Sequence, residues 1–250
     1  MRYTVLTYIM GSGERLHEIR QKDPQADYVL ITDDKRLMSR TWEVVYDHRL
    51  EGLSLFERLY AVRFNPFRYA KTDVVVRLDA SIGINQSLQP IVDEFERGRY
   101  DRCLMIHPAR NTMTEEYAEW VKCRKHPQKD ADHCLKMMQQ MGYDMEYRGL
   151  FQSCFEVVRR NQLNLDINAK TLDLLRQAAT DGHVQRVNQT WLSMVINHYF
   201  SDRIKVLPVS DRIMKDGRMM TWYHHNHDVP LPEVEHIEPM MFNQPVTVWR

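Results

Sequence analysis

The sequence predicts an α/β fold: a mostly parallel central sheet flanked by helices, in one domain with an extended C-terminal tail. Two observations predict the sheet. Short, near-continuous apolar runs recur at residues 4–10, 28–32, 42–46, 72–78 and 103–106, as suits strands covered on both faces. Helical patterns alternate with them through the first half, which makes βα units. A third observation bears on function: the runs end in Gly11, Asp33-Asp34, Asp79 and His107. In such sheets ligands bind outside the carboxyl ends of the strands.

The first run leads into a turn at Gly11-Ser12-Gly13, and a helix is expected over residues 14–21, stopped by Asp23-Pro24. Strands at 28–32 and 42–46 follow. Ser54 with Glu57 forms a capping box, so a helix begins there, with Leu55, Leu59, Val62 and Phe67 as its apolar face. Residues 72–78 are the strongest strand pattern and end in Asp79. Then come a helix at 88–95, a strand at 103–106, helices at 115–125 and 131–141, and a strand at 155–158. Helices at 169–179 and 191–200 and a strand at 204–209 complete the pattern. The expected division is a catalytic domain over 1–221 and a tail over 222–250 that contains a histidine run, is rich in proline beyond Asp228, and wraps the surface.

Lys and Arg together number 34, and so do Asp and Glu, for a formal net charge of zero. That balance argues against bulk electrostatic binding of nucleic acid or of an anionic membrane. The cysteines are Cys103, Cys123, Cys134 and Cys154, with no CxxC pair, and they read as reduced. No apolar run approaches the length of a membrane-spanning helix, and the N-terminal run reads as a strand, so a cytoplasmic protein is expected. Cys123, His126, His133 and Cys134 fit no standard zinc spacing.

The segment from Val74 to Ile84 carries the most chemistry: an apolar strand delivers Asp79 into a short turn through Ala80-Ser81 before apolar residues resume. An Asp in that place is either a turn former or a functional carboxylate. Gly11-Ser12-Gly13 is neither a full GxGxxG nor a P-loop; it reads as a tight turn that lines a nucleotide site. Arg58 and Arg63 on the capped helix, with Arg77 and Arg110, are the cations available to clamp phosphate.

These residues together resemble a GT-A type glycosyltransferase, in which a strand ends in Asp-x-Asp. The run from Tyr28 to Asp34 followed by Trp42-Glu43-Val44-Val45 is similar to the opening of that fold. More closely, the chain resembles the plant and bacterial family of hexosyltransferases formerly known as a domain of unknown function. The likeness rests on Asp79-Ala80-Ser81, His107-Pro108-Ala109-Arg110, Glu115-Glu116, the stretch from Gly149 to Arg160 and Asn188-Gln189.

The resemblance implies a hexosyltransferase that takes a nucleotide-diphosphate sugar and a glycan or other acceptor. It implies a divalent cation, manganese or magnesium, on Asp79, with a last ligand from the run His224-His225-Asn226-His227; His225 is the named candidate. It places Asp33, Asp34, Ser81 and Gln189 on the donor, and Asp79, His107, Glu115 and Glu116 among the catalytic candidates. An inverting enzyme needs a carboxylate base, and Glu115, Glu116 and Glu156 are open for that role. The chain departs from the pattern at Ser81, where a second carboxylate would complete Asp-x-Asp. Either Asp33, Asp34 or a histidine completes a cation site, or arginines take the charge of the leaving group instead. A nucleotidyltransferase-like enzyme and a non-catalytic sugar-binding protein are the competing readings.

Overall fold

The computed structural model describes residues 1–11, 14–123, 127–179, 188–210, 219–223 and 240–245. Seven strands form one sheet: β1 (Tyr3–Ile9), β2 (Ala26–Thr32), β3 (Glu43–Tyr46), β4 (Val74–Leu78), β6 (Arg102–Ile106), β7 (Phe151–Arg159) and β8 (Val206–Val209), in the order β3-β2-β1-β4-β7-β6-β8. The expected α/β class and mostly parallel sheet are what the structure has. Only β7 runs against its neighbours β4 and β6; the other four pairs are parallel. β4 and β6 therefore point the same way. Their carboxyl ends share one edge of the sheet with those of β1 and β2.

The strand order explains where a crevice opens. From β1 the chain steps to β2 and β3 on one side, then returns to place β4 on the other side of β1. The order reverses between β1 and β4, and the carboxyl side of such a switch point is where open sheets leave room for a ligand.

Alternation along β4 splits the core. Val74, Val76 and Leu78 pack with Phe95, Ile91 and Val92 of α2 (Gln89–Arg97). On the other face Val75 packs with Val62 of α1 (Leu55–Arg63). There too lie α3 (Met113–Lys122), α4 (Gln128–Gln140), α5 (Gln162–Ala179) and α6 (Asn188–Val195), with Trp120, Leu174 and Trp191 in one cluster. A π turn, Ile196–Phe200, continues α6.

The helix expected over 14–21 is absent. The described part, residues 14–22, carries its polar groups to distant partners instead. The Arg20 amide donates to the Ile84 carbonyl at 3.0 Å, the Ile19 amide to Thr41 Oγ1 at 3.0 Å, and the Trp42 indole to the His17 carbonyl at 3.1 Å. Helix propensity loses to those long-range bonds. α5 begins at Gln162, earlier than its apolar period shows, because Asn161 accepts the Asn164 amide at 2.9 Å and starts it.

Two small elements were not anticipated. β5 (Ile82–Ile84) pairs antiparallel with β9 (Met220–Trp222), so the 221/222 boundary expected between domain and tail falls inside a strand. β10 (Met240–Met241) and β11 (Gln244–Pro245) form a hairpin whose turn residues Phe242 and Asn243 have φ of 48° and 57°, the pattern of a tight primed turn. No described helix is long and apolar enough to cross a membrane.

Candidate active site

A cleft of about 280 Å³ opens at the carboxyl ends of β1 and β4, where the strand order reverses. Tyr8 and Met10 line it from the end of β1, and Asp79 and Ala80 from the end of β4. Leu55, Leu59 and Arg63 come from successive turns of α1, with Glu14 and Asn188 completing the wall. The helix face that reads as core from its period is thus partly a cleft wall: Leu55 is 43 % exposed.

Asp79 is the centre of the charges there. Its side chain is 33 % exposed, and its Oδ1 meets Arg77 Nη1 at 3.1 Å and Arg63 Nη1 at 3.5 Å. The backbone fixes it as well: its amide donates to the Cys154 carbonyl at 2.8 Å, and its carbonyl accepts from the Ile82 amide at 3.0 Å. Both arginines are buried, and each donates an Nη2 to the Ser153 carbonyl. Arg63 also reaches the Tyr8 hydroxyl at 3.2 Å.

Behind this pair the charges continue into the sheet. Arg77 Nε donates to Glu156 Oε1 at 2.5 Å, and Arg102 Nε lies 3.6 Å from Glu156 Oε2. Arg102 donates to Asn168 Oδ1 at 2.6 Å. Burial by itself would raise the Glu156 pKa, but Arg77, Arg102 and Arg63 outweigh it and hold the carboxyl down at about 2. Burial likewise opposes the charge on Arg77, and Glu156, Tyr8 and Asp79 more than offset it. Glu156, open as a base from sequence, is therefore an ion-pair partner inside the sheet.

Asp33 and Gly11 form the rim on the β1–β2 side. The Gly11 amide donates to Asp33 Oδ1 at 2.9 Å and to Oδ2 at 3.1 Å, and Arg58 Nη1 donates to Oδ2 at 2.6 Å. Gly11 has φ of +69°, and a Cβ there would lie 3.5 Å from Leu55 Cδ1 of the cleft wall. Asp34 stands apart in an exposed turn, where its Oδ1 accepts from the Arg36 amide at 2.9 Å. That hydrogen bond leads the causes that lower its pKa. Ser12 and Gly13 lie outside the described residues.

The third strand end holds a second cluster. His107 is buried, and its Nδ1 accepts from the Ala109 and Arg110 amides at 3.2 Å each. Arg110 places Nη2 2.8 Å from His107 Nε2 and donates Nε to Glu116. Glu116 is fully buried and also accepts from the Trp120 indole at 2.9 Å and Gln189 Nε2 at 3.0 Å. Glu115 caps α3: its Oε2 accepts from the Asn111 and Thr112 amides at 2.5 and 3.2 Å, and its own amide donates to Thr112 Oγ1. This is a capping box, and it starts α3 at Met113 rather than at residue 115 as expected from the sequence.

The two clusters are joined. Ser153, whose carbonyl takes both arginines, donates its hydroxyl to Asn188 Oδ1 at 3.0 Å; the next residue, Gln189, holds Glu116. Asp33, Asp79 and His107 end β2, β4 and β6, each two strands from the next. Strand spacing then separates neighbours in this row by about 10 Å.

Ser81 is tied to the C-terminal part of the chain, since its carbonyl accepts from the Tyr223 amide at 2.9 Å. The Tyr223 ring stacks on His17 at 4.0 Å. His224, His225 and His227 lie outside the described residues. Among the described residues no group of three His, Cys, Asp or Glu side chains could hold a metal ion. Sequence reasoning missed Glu14 and Tyr8; both flank the glycine turn after β1, and that position was the only signal for them.

No protein-family model matches the chain, and no curated protein matches it. Among solved structures it is similar to mouse xyloside xylosyltransferase 1 in its apo form, at 10 % identity, over 93 % of this chain and 100 % of that one, with a TM-score of 0.49.

Proposed function

We propose that the chain is a glycosyltransferase that binds a nucleotide-diphosphate sugar in the cleft at the ends of β1 and β4 and passes a hexose to a glycan or other acceptor. One observation carries this reading: Asp79 and Arg63 line a cleft at the switch point of a mostly parallel sheet, with the buried Arg77 behind them on the same carboxylate oxygen. Sugar transfer from such a donor releases a nucleoside diphosphate. Its negative charge must be met by preorganised cationic groups in a site shielded from water. A guanidinium held by a buried carbonyl and a carboxylate is such a group, and it needs no rearrangement when charge develops.

The other strand ends take roles consistent with this. Gly11, Asp33 and Arg58 form a rim suited to the nucleoside, with the Gly11 backbone leaving room beside Leu55. Ser81 sits in the turn after Asp79 on the donor side, whereas Asp34 stands apart from the cleft. Arg110, held by Glu116 and His107 with Gln189 fixing Glu116, is the cation assigned to the acceptor in this reading. On these contacts Glu115 and Glu116 support the site, and His107 orients Arg110.

The family resemblance also implies a cation on Asp79 and His225. The described residues do not fit one well: Asp79 is a single carboxylate, two guanidiniums share its Oδ1, and Ser81 supplies no charge.

A thermal-shift panel of UDP, GDP and CMP tests the reading, because a ligand that binds only the folded chain raises its melting temperature by mass action. At a concentration about a hundredfold above Kd, stabilisation should approach 3 kcal/mol. If no nucleotide raises the melting temperature, with or without manganese, the reading fails.

A further inference from the structure

The contacts of Asp79 bear on how a diphosphate is held, and this step rests on the glycosyltransferase reading above. Four arginines were open for that task. Arg77 is wholly buried, with its edges spent on Glu156, Asp79 and the Ser153 carbonyl. Arg58 is committed to Asp33 and the Leu53 carbonyl, and Arg110 to Glu116 and His107. Arg63 alone of the four lines the cleft. Its Nη1 and Nη2 donate to the Tyr8 hydroxyl and the Ser153 carbonyl, but its enclosed Nε has no hydrogen-bond partner among the described residues, and its contact to Asp79, at 3.5 Å, is the looser of the two on that oxygen.

The charges around it are unequal. Arg63, Arg77 and Arg102 set three guanidiniums against the two carboxylates Asp79 and Glu156, a surplus of one positive charge. A divalent cation brought to Asp79 would have to compete with two guanidiniums for Oδ1 in this positive cluster. A diphosphate brought to Arg63 relieves the surplus. Glu14 also lines the cleft, so the wall is not uniformly positive and the anion is drawn to its Arg63 end.

We infer that Arg63, not a metal ion, meets the donor diphosphate, and that Asp79 is a positioning residue that braces Arg63 and Arg77. This reverses the sign expected of Asp79. As a cation ligand, its charge draws the metal and the diphosphate with it. As a brace, its charge partly neutralises Arg63 and repels the phosphate.

Calorimetric titration of the full chain with inorganic pyrophosphate, UDP and GDP decides, first in EDTA and then with manganese. Pyrophosphate and at least one nucleoside diphosphate should bind in EDTA. Asp79→Asn keeps the shape and removes the charge, and should tighten pyrophosphate binding about three- to tenfold, as expected for deleting a like charge a few ångströms away in a partly screened cleft. Arg63→Met keeps the buried stem and should weaken binding by about tenfold or more through loss of a charge-assisted contact. The double variant Asp79→Asn/Arg63→Met retains a balanced pair of removals; it should melt near wild type and still bind weakly, which separates lost recognition from lost folding.

Binding that requires manganese and disappears in Asp79→Asn makes Asp79 a cation ligand; the inference then falls while the glycosyltransferase reading stands. Unchanged affinity in a folded Arg63→Met variant also overturns it alone. Failure of all three probes under both conditions overturns both.

Discussion

Arg77 and Glu156 are register partners across the antiparallel pair β4 and β7, with Arg77 Nε 2.5 Å from Glu156 Oε1 and both side chains buried. This ion pair sits between the apolar cross-strand pairs Val76–Val157 and Leu78–Phe155. The desolvation cost of such a pair can match its attraction, so its presence argues less for stability than for fixing something. What it fixes is the guanidinium whose Nη1 meets Asp79 in the cleft.

Removing one partner should therefore be costly. Glu156→Gln takes the shared carboxylate from Arg77 and Arg102 and should destabilise the fold by about 3–5 kcal/mol in denaturant titration. Arg102 already carries two buried nitrogens, Nε and Nη1, without hydrogen-bond partners among the described residues. Adding Arg102→Met to Glu156→Gln should thus recover part of the loss, on the order of 1 kcal/mol or more. A double variant no more stable than Glu156→Gln would show that Arg102 is not strained by this cluster.

The same carboxylate gives a pH dependence with a definite sign. Glu156 titrates at about 2 in the fold, against roughly 4.3 in an unfolded chain. The unfolded state binds the proton first, so this group's contribution to stability is complete above about pH 4.5 and is lost as pH falls toward 2. Acid unfolding curves of wild type and Glu156→Gln should converge across that window and stay parallel above pH 5. A constant gap down to pH 2 would contradict the ion pair.

The frame of this fold was legible because apolar runs and strand-end residues are local signals. Asp33, Asp79 and His107 could be placed on one edge from their position after strands, and the capping box at Ser54 and Glu57 set the start of α1. The failures share a cause. Residues 14–21 have helical periodicity but spend their amides on Ile84 and Thr41, which no local pattern announces. Arg77 reads from sequence as a cation near a strand end, free for phosphate; only the sheet register reveals Glu156 opposite it. Leu55 matches a core period and yet faces a cleft, since periodicity marks a face without saying what covers it.

Gly11 is a position where backbone geometry and the site meet. Its φ of +69° is strained for any residue with a Cβ, while the space itself is open enough, with Leu55 Cδ1 at 3.5 Å. Gly11→Ala should cost about 1–2 kcal/mol from the left-handed conformation. It should also loosen the amide that Asp33 accepts, so nucleotide affinity should drop more than stability alone explains. Comparing the melting temperature with UDP and GDP titrations on this variant measures both; unchanged affinity would detach Gly11 from the nucleoside rim.

The adjacent acids Glu115 and Glu116 give the last contrast, because the sequence offers both as bases and the structure gives them different work. Glu115 caps α3 through the amides of Asn111 and Thr112, a task that glutamine also performs in capping boxes. Glu115→Gln should cost no more than about 1 kcal/mol and leave turnover intact. Glu116 is buried and holds Arg110, Trp120 and Gln189 at once. Glu116→Gln leaves Arg110 without its countercharge, and one amide oxygen must serve donors that two carboxylate oxygens now satisfy. A stability loss of about 2–4 kcal/mol is expected. If Glu116 acts only by holding Arg110, its loss should raise the acceptor KM and leave the pH profile of kcat unchanged. A folded Glu116→Gln variant that binds acceptor normally but loses the basic limb of that profile would instead make Glu116 the base.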